Sequence, residues 1–219
     1  MTMRIKSIQQ TRNPEKLDLM FDDGSKLRVM ATVVPDLGLY ASMEVDAALL
    51  ERILQTHEKA QTRLRAVRIV AAANVSQREL QRRLIQKGQK PEDAAEAAQW
   101  LEALGALDDE KTARLLVQRG AAKGYGRARI RQELQQKGIP KALWEQALAE
   151  MPEPDGAIDR FLQQKLRGSW PDEKKRKKVT DALYRRGHRW SDIQAAWQRY
   201  REGVADNEAE ESDEWQQWE

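Results

Sequence analysis

Three times along the chain, two apolar residues four apart are followed four residues later by a glycine. Leu80, Leu84 and Gly88 form the first set, Ile130, Leu134 and Gly138 the second, and Val179, Leu183 and Gly187 the third. The glycines are 50 and then 49 residues apart, and a base precedes each one: Lys87, Lys137 and Arg186. An i, i+4 apolar pair is one stripe of a helix, and glycine suits the positive φ that commonly ends a helix. A single instance of this pattern is common in helical proteins. Three at near-equal spacing predict a repeat of one supersecondary unit.

Each unit reads as three helices. A first helix is predicted over about Glu58–Ala73, Asp108–Lys123 and Asp155–Arg167, before the stripe-bearing middle helix. A third follows each glycine, opened by Pro91-Glu92-Asp93, by Pro140 and by Ser191-Asp192, since proline at the first position and acids in the first turn favour helix starts. Ser76-Gln77-Arg78-Glu79 adds a capping box to the first middle helix. Trp100, Trp144 and Trp197 recur in the third helices and read as core or inter-module packing. Such units bury apolar faces within and between neighbours, so the expected body is an elongated, curved array.

The first forty residues follow a different period. Arg4–Gln10 is compatible with a strand, Leu17, Leu19 and Phe21 alternate with polar or flexible residues, and so do Leu27, Val29 and Ala31. Asp23-Gly24 between the last two runs marks a hairpin turn. Val33-Val34-Pro35 reads as a short edge piece, and Met43–Thr56 as a helix with Val45, Leu49, Leu50 and Ile53 on one face. From Ala205 on the chain is acidic and lacks aliphatic periodicity, which predicts disorder. Trp215 and Trp218 in that tail read equally as exposed aromatics or as a short docking motif. The predicted fold is mainly α: a β-hairpin-containing segment with a helix over 1–57, three-helix modules over 58–106, 107–154 and 155–203, and an acidic tail over 204–219.

Charge follows this division. Residues 59–201 hold 31 Lys and Arg against 18 Asp and Glu, whereas residues 202–219 hold 8 acids and no Lys or Arg. A basic middle suggests a polyanionic partner, and an acidic tail could compete for the same surface. Within the middle, Lys174, Lys175, Arg176, Lys177 and Lys178 stand in succession at the start of the third middle helix. Consecutive helical residues point all round the axis, so this cluster is either a solvated face or a contact to phosphates or carboxylates. A second patch joins Arg127, Arg129 and Arg131 with Tyr125, where arginine could hold phosphate bidentately and tyrosine could stack on a base or pack the turn. Arg78, Arg82 and Arg83 occupy the equivalent place in the first module, and Arg185 with Arg186 extends the third.

Little points to chemistry. The chain has no cysteine, which removes disulfides and thiolate metal sites and fits a reducing cytoplasm. Met1–Gln10 has no apolar h-region, so a secretory leader is not expected, and Ile69–Val75 is far too short to cross a membrane. Asp108, Asp109 and Glu110 resemble a carboxylate cluster but fall at a helix start, where they cap amides. His57 and His188 are isolated, and no phosphate-binding glycine loop is present. Neither an enzyme nor a cofactor is implied, and no metal site is predicted.

Several of these motifs occur together in one known order. Leu107-Asp108-Asp109-Glu110, Gly124-Tyr125-Gly126-Arg127-Ala128-Arg129-Ile130, Glu133-Leu134 and Lys137-Gly138-Ile139 resemble the central module of the RecX family. Ser76, Glu79, Leu80, Leu84, Lys87 and Gly88 are similar to its first module, and the spacing from Asp159 to Tyr200 fits its third with a weaker match. The resemblance covers about residues 59–201. Thr112-Ala113 departs from the aromatic-Ala pair usual after the Asp-Asp element, and the run Lys174–Lys178 and the Trp-bearing acidic tail are additions. The resemblance implies small helical modulators of RecA that lie in the groove of the RecA–DNA filament and inhibit its ATPase and strand exchange. It thus implies a monomeric cytoplasmic regulator of recombination, DNA repair and the SOS response, with the filament and its DNA as partners. An autonomous DNA-binding helical protein, independent of recombinase, is the alternative.

Overall fold

A computed structural model describes residues 2–216, with side chains described through Ala205. The chain folds as two compact units that divide between Leu107 and Asp108.

The first unit begins with β1 (Met3–Gln10), β2 (Lys16–Phe21), β3 (Lys26–Met30), a short helix α1 (Val33–Asp36) and β4 (Glu44–Val45). They form one antiparallel sheet in the order β3-β2-β1-β4. The β2–β3 hairpin turns at Asp23-Gly24 as predicted, with Gly24 at φ +84° and the Asp23 carboxylate accepting from the Ser25 amide at 2.8 Å. The edge piece expected at Val33-Val34-Pro35 is instead the single helical turn α1. Its first residue, Val33, is buried in the sheet's core, which requires the chain to curl back rather than extend.

Helix α2 (Ala47–Ala72) is the longest correction to the sequence reading. The pattern predicts two helices, about Met43–Thr56 and Glu58–Ala73, but nothing at Thr56-His57-Glu58 breaks a helix and none of the three is glycine or proline. The boundary between 57 and 58 therefore falls inside α2. Its first half packs Leu49, Leu50 and Ile53 on Ile5, Leu19, Phe21 and Val29 of the sheet. Its second half packs Ala66, Ile69 and Val70 on Leu80, Leu84, Ala94, Ala98 and Leu101 of α3 (Gln77–Gln86) and α4 (Pro91–Ala103). One helix thus seals two cores within this unit.

The second unit holds α5 (Asp109–Ala122), α6 (Arg127–Gln136), a 3-10 turn at Lys141–Leu143 leading into α7 (Trp144–Ala149), then α8 (Asp155–Leu166), α9 (Glu173–Arg185) and α10 (Trp190–Gln216). Ala113, Val117, Ile130, Leu134 and Leu148 make one core, and Ile158, Leu162, Leu183, Ile193 and Ala196 another. The backbone of α10 continues to Gln216, into the segment where composition predicts a disordered tail. Trp218 and the Trp215 side chain lie outside the described residues.

The repeat that dominates the sequence is built as a repeated helix exit. Leu80, Leu84, Ile130, Leu134 and Leu183 are fully buried, and Val179 nearly so. Gly88, Gly138 and Gly187 have φ of +82°, +72° and +84°. In each case the glycine amide reaches the carbonyl three residues back, and the next amide reaches the stripe's last residue: Gln89 to Leu84 at 3.1 Å, Ile139 to Leu134 at 3.0 Å and His188 to Leu183 at 3.3 Å. This is the Schellman pattern, which satisfies carbonyls left open at a helix end.

Candidate functional site

The cations that the sequence singles out are the candidates for a site, and the structure places each of them. Among the described residues no group of three or more His, Asp or Glu could hold a metal ion. Asp108 caps α5 by accepting from the Lys111 amide at 2.8 Å, and Glu110 pairs with Arg114. Of the acidic triplet, Asp108 has the capping role expected for it, and Asp109 and Glu110 lie in the first turn of α5. No helix among the described residues is long and apolar enough to cross a membrane.

The run at 174–178 lies in the first half of α9, which Asp172 opens by accepting from the Lys175 amide at 2.6 Å. Val179 and Leu183 turn the buried stripe inward. Lys174, Lys175, Arg176, Lys177 and Lys178 are all exposed, and none of them forms a salt bridge among the described residues. Arg185 is also exposed, two residues before the cap glycine Gly187. Six cations on a helix of 13 residues thus face solvent. Unneutralised like charges this close repel one another, and a bound polyanion would relieve that repulsion.

The basic residues of the first module stand otherwise. Arg78 and Arg82 are exposed on α3, but Arg83 is drawn onto the buried carboxylate of Glu79. Around them, Lys59 and Arg63 both bind Glu96, at 2.7 and 2.9 Å, and Lys90 pairs with Glu58. The Lys59 hydrogen bond, with the charges of Lys59 and Arg63, holds the Glu96 carboxyl below its ordinary value. Lys59, Arg63, Arg83 and Lys90 are thus balanced locally, whereas Arg78 and Arg82 form no salt bridge among the described residues.

The patch at 125–131 divides. Tyr125 is half-buried against the Ile130–Leu134 core, with Lys123 Nζ 5.9 Å and the Arg129 guanidinium 5.8 Å from its ring. Packing of the turn, rather than an open stacking platform, describes its position. Arg131 is paired with Glu145 at 2.9 Å, leaving Arg127 half-exposed at the start of α6. Within the second unit the predicted cations therefore divide: the run 174–178 lies in the first half of α9, whereas Arg185 lies at its exit and Arg127 at the entry of α6.

What the Gly124-Tyr125-Gly126 motif does emerges only from the fold. The exit of α9 docks on the entry of α6: the Arg186 carbonyl accepts from the Gly126 amide at 2.8 Å, and the Gly187 carbonyl accepts from the Ala128 amide at 3.2 Å. The negative end of one helix meets the positive end of another, and groups left open at both ends satisfy each other. The approach demands glycine on both sides. A Cβ on Gly126 would lie 2.2 Å from the Gly187 carbonyl oxygen, and a Cβ on Gly187 would lie 2.3 Å from the Arg129 nitrogen. Arg186 locks the joint by donating to the Lys123 carbonyl at 3.0 Å and lying 4.6 Å over the Phe161 ring. His188 is buried beside it, its Nε2 3.0 Å from the Gly124 carbonyl. Burial pushes its imidazole below the ordinary histidine value, as does the charge of Arg186, against smaller opposing effects of Gly124 and Asp192.

One feature escapes a reading of the sequence alone. Trp170, in the loop before α9, is 40% exposed, and Trp190, at the start of α10, is 56% exposed. They flank a groove between α9 and α10 floored by Trp197. The interleaving of Trp170 and Trp190 with the basic runs 174–178 and 185–189 is the signal that could have found it.

Known proteins are similar to this chain in sequence and in fold. A family model described as RecX, second three-helix domain, matches residues 108–148. The regulatory protein RecX of Escherichia coli strain K12 is 34% identical over 148 residues, covering 62% of this chain and 89% of that protein. The regulatory protein RecX of Cronobacter sakazakii is 34% identical over 151 residues, covering 62% and 90%. Among solved structures, a crystal structure of regulatory protein RecX matches with a TM-score of 0.73 at 19% identity, over 90% of this chain and 99% of that one. RecX from Lactobacillus salivarius matches with a TM-score of 0.56 at 17% identity, over 65% and 96%. At those identities the structural likeness speaks to the fold alone.

Proposed function

The chain belongs to the RecX family of regulatory proteins, and from that premise we propose that it binds a RecA-type recombinase filament on DNA and inhibits its ATPase and strand exchange without chemistry of its own. The observation that carries this reading is the set of exposed cations on α9: Lys174, Lys175, Arg176, Lys177, Lys178 and Arg185, without salt bridges among the described residues. A helix so charged is best matched by a surface of regularly spaced phosphates or carboxylates. A nucleoprotein filament offers such a surface over many protomers. Arg78 and Arg82 of the first module and Arg127 of the second supply further weak contacts, so that affinity sums over modules. The cytoplasm, where recombinase and DNA meet, is the place of action. The consequence for the cell is modulation of recombination, DNA repair and the SOS response.

ATP turnover by recombinase on single-stranded DNA, measured with and without this protein, tests the reading. The expected result is inhibition that saturates with protein and weakens as salt is raised. Unchanged turnover and strand exchange at saturating protein would overturn it.

A further inference from the structure

We propose that the groove between α9 and α10 is a binding site for unpaired nucleic-acid bases, holding a single strand by stacking on Trp170 and Trp190 while Arg176 and Arg201 hold its phosphates. This deepens the reading above, resting on it for the identity of the polymer, and adds a site and a strand preference that the charged face of α9 does not supply.

The groove is built from regular positions. Trp190, Gln194, Trp197 and Arg201 recur at helical spacing along one face of α10, and Arg176 and Thr180 sit four apart on the facing side of α9. Its floor is fixed: Trp197 Nε1 donates to Thr180 Oγ1 at 2.9 Å, and the Trp197 ring meets Trp170 edge-on at a centroid distance of 5.8 Å. Trp170 in turn stacks with Tyr200 at 6.5 Å. Trp170, Trp197 and Tyr200 are therefore held against one another, and Trp170 and Trp190 present indole surface to solvent.

Charge selects the occupant. Among the described residues no acidic side chain lines the groove. Arg199 on its wall is engaged by Asp159 at 2.9 Å and Asp155 at 3.3 Å, but Arg176 and Arg201 are exposed, with Arg201 5.9 Å over the Trp170 ring. An apolar peptide would leave these guanidinium groups unmatched. A phospholipid surface would match the charge but would not need indoles set along a groove. A strand with unstacked bases satisfies both, because every base offers a π-face and every nucleotide a phosphate. Duplex DNA keeps its bases stacked and could engage only the basic rim.

The test uses the full chain and three fluorescently labelled probes of equal length: oligo(dT), the same strand with abasic sites in place of bases, and duplex DNA. Binding is followed by anisotropy and by quenching of tryptophan emission. Oligo(dT) is expected to bind and to quench, the abasic strand to bind at least about five-fold more weakly, and W190A to lose a similar factor while W190F retains most of the affinity. R176Q with R201Q should flatten the salt dependence. Trp170 carries packing as well, so Trp190 and the abasic probe give the decisive readings. Equal affinity for the oligo(dT) and abasic strands, or W190A binding oligo(dT) like the parent, would overturn the site. Recombinase ATP turnover separates the two readings: W190A that still inhibits turnover, with oligo(dT) binding also unchanged, removes the groove and leaves filament binding standing. A parent protein that quenches with oligo(dT) yet leaves turnover unaffected does the reverse.

Discussion

Helices α3 and α9 end in the same way but differ on their outer sides. Both bury an apolar pair four residues apart, Leu80 with Leu84 and Val179 with Leu183, and both end on a positive-φ glycine whose following amide returns to the second of that pair. On α3, Arg83 is bound by Glu79, and neighbouring Lys59, Arg63 and Lys90 are bound by Glu96 and Glu58. On α9, five successive cations have no such partner among the described residues. The inner face repeats because each module must close its core. The outer face is free of that demand, so it is where one module can be balanced and another left charged.

The two faces should respond differently to substitution. On the inner face, L84A and L183A each remove a fully buried side chain and should each cost about 2–5 kcal/mol in urea denaturation of the full chain. A loss at only one of the two sites would break the equivalence. The glycine caps should then differ. Gly88 has open space around it, so G88A carries only the strain of positive φ, about 1–2 kcal/mol. At Gly187 a Cβ would also drive into the Arg129 backbone, adding about 1–3 kcal/mol of overpacking. Equal costs for G88A and G187A would contradict the docking of α9 on α6.

On the outer face, R83A removes the cation that binds the buried Glu79 carboxylate and should destabilise by about 1–3 kcal/mol, whereas K177A should stay within about 0.5 kcal/mol of the parent. The smallest effect expected is that of pH, and here the two units behave alike. Burial, helped by the charge of Lys16 against that of Glu58, lowers the His57 imidazole, whose Nδ1 accepts from the Met30 amide at 3.0 Å; burial likewise lowers His188. Both are held neutral in the folded chain. Their contribution to stability is complete above the ordinary histidine value, near 6.5, and is lost as pH falls through the lowered folded values. Denaturation midpoints at pH 7 and pH 5 should show the fall, and H57Q and H188Q should each reduce it.

The inner face is legible in the sequence because burial imposes periodicity. The stripes, the glycine caps, the Asp23-Gly24 hairpin and the caps at Ser76 and Asp108 all follow from spacing and residue type. Continuity is harder to read: α2 runs through Thr56-His57-Glu58 because its two halves bury different cores, a tertiary fact. The outer face is legible only as a series of charges. The i, i+4 spacing of Glu79 and Arg83 is visible in sequence, but the pairing of Arg131 with Glu145 is not, since it is made across 14 residues. Spacing alone leaves Tyr125 open to base stacking, and only the core beside it assigns it to packing. The reason for Gly126 lies 61 residues further on, at the backbone of Gly187.

The uncompensated charge of α9 is the central claim, and the salt dependence of binding to a recombinase filament on single-stranded DNA tests it most directly. The parent protein is to be compared with a variant carrying Gln at 174, 175, 177 and 178. The prediction is a shallower slope of log K against log salt for the variant, by about 0.7 for each single-strand phosphate that the substituted helix no longer neutralises, with folding stability intact. An unchanged slope and affinity in a folded variant would contradict it.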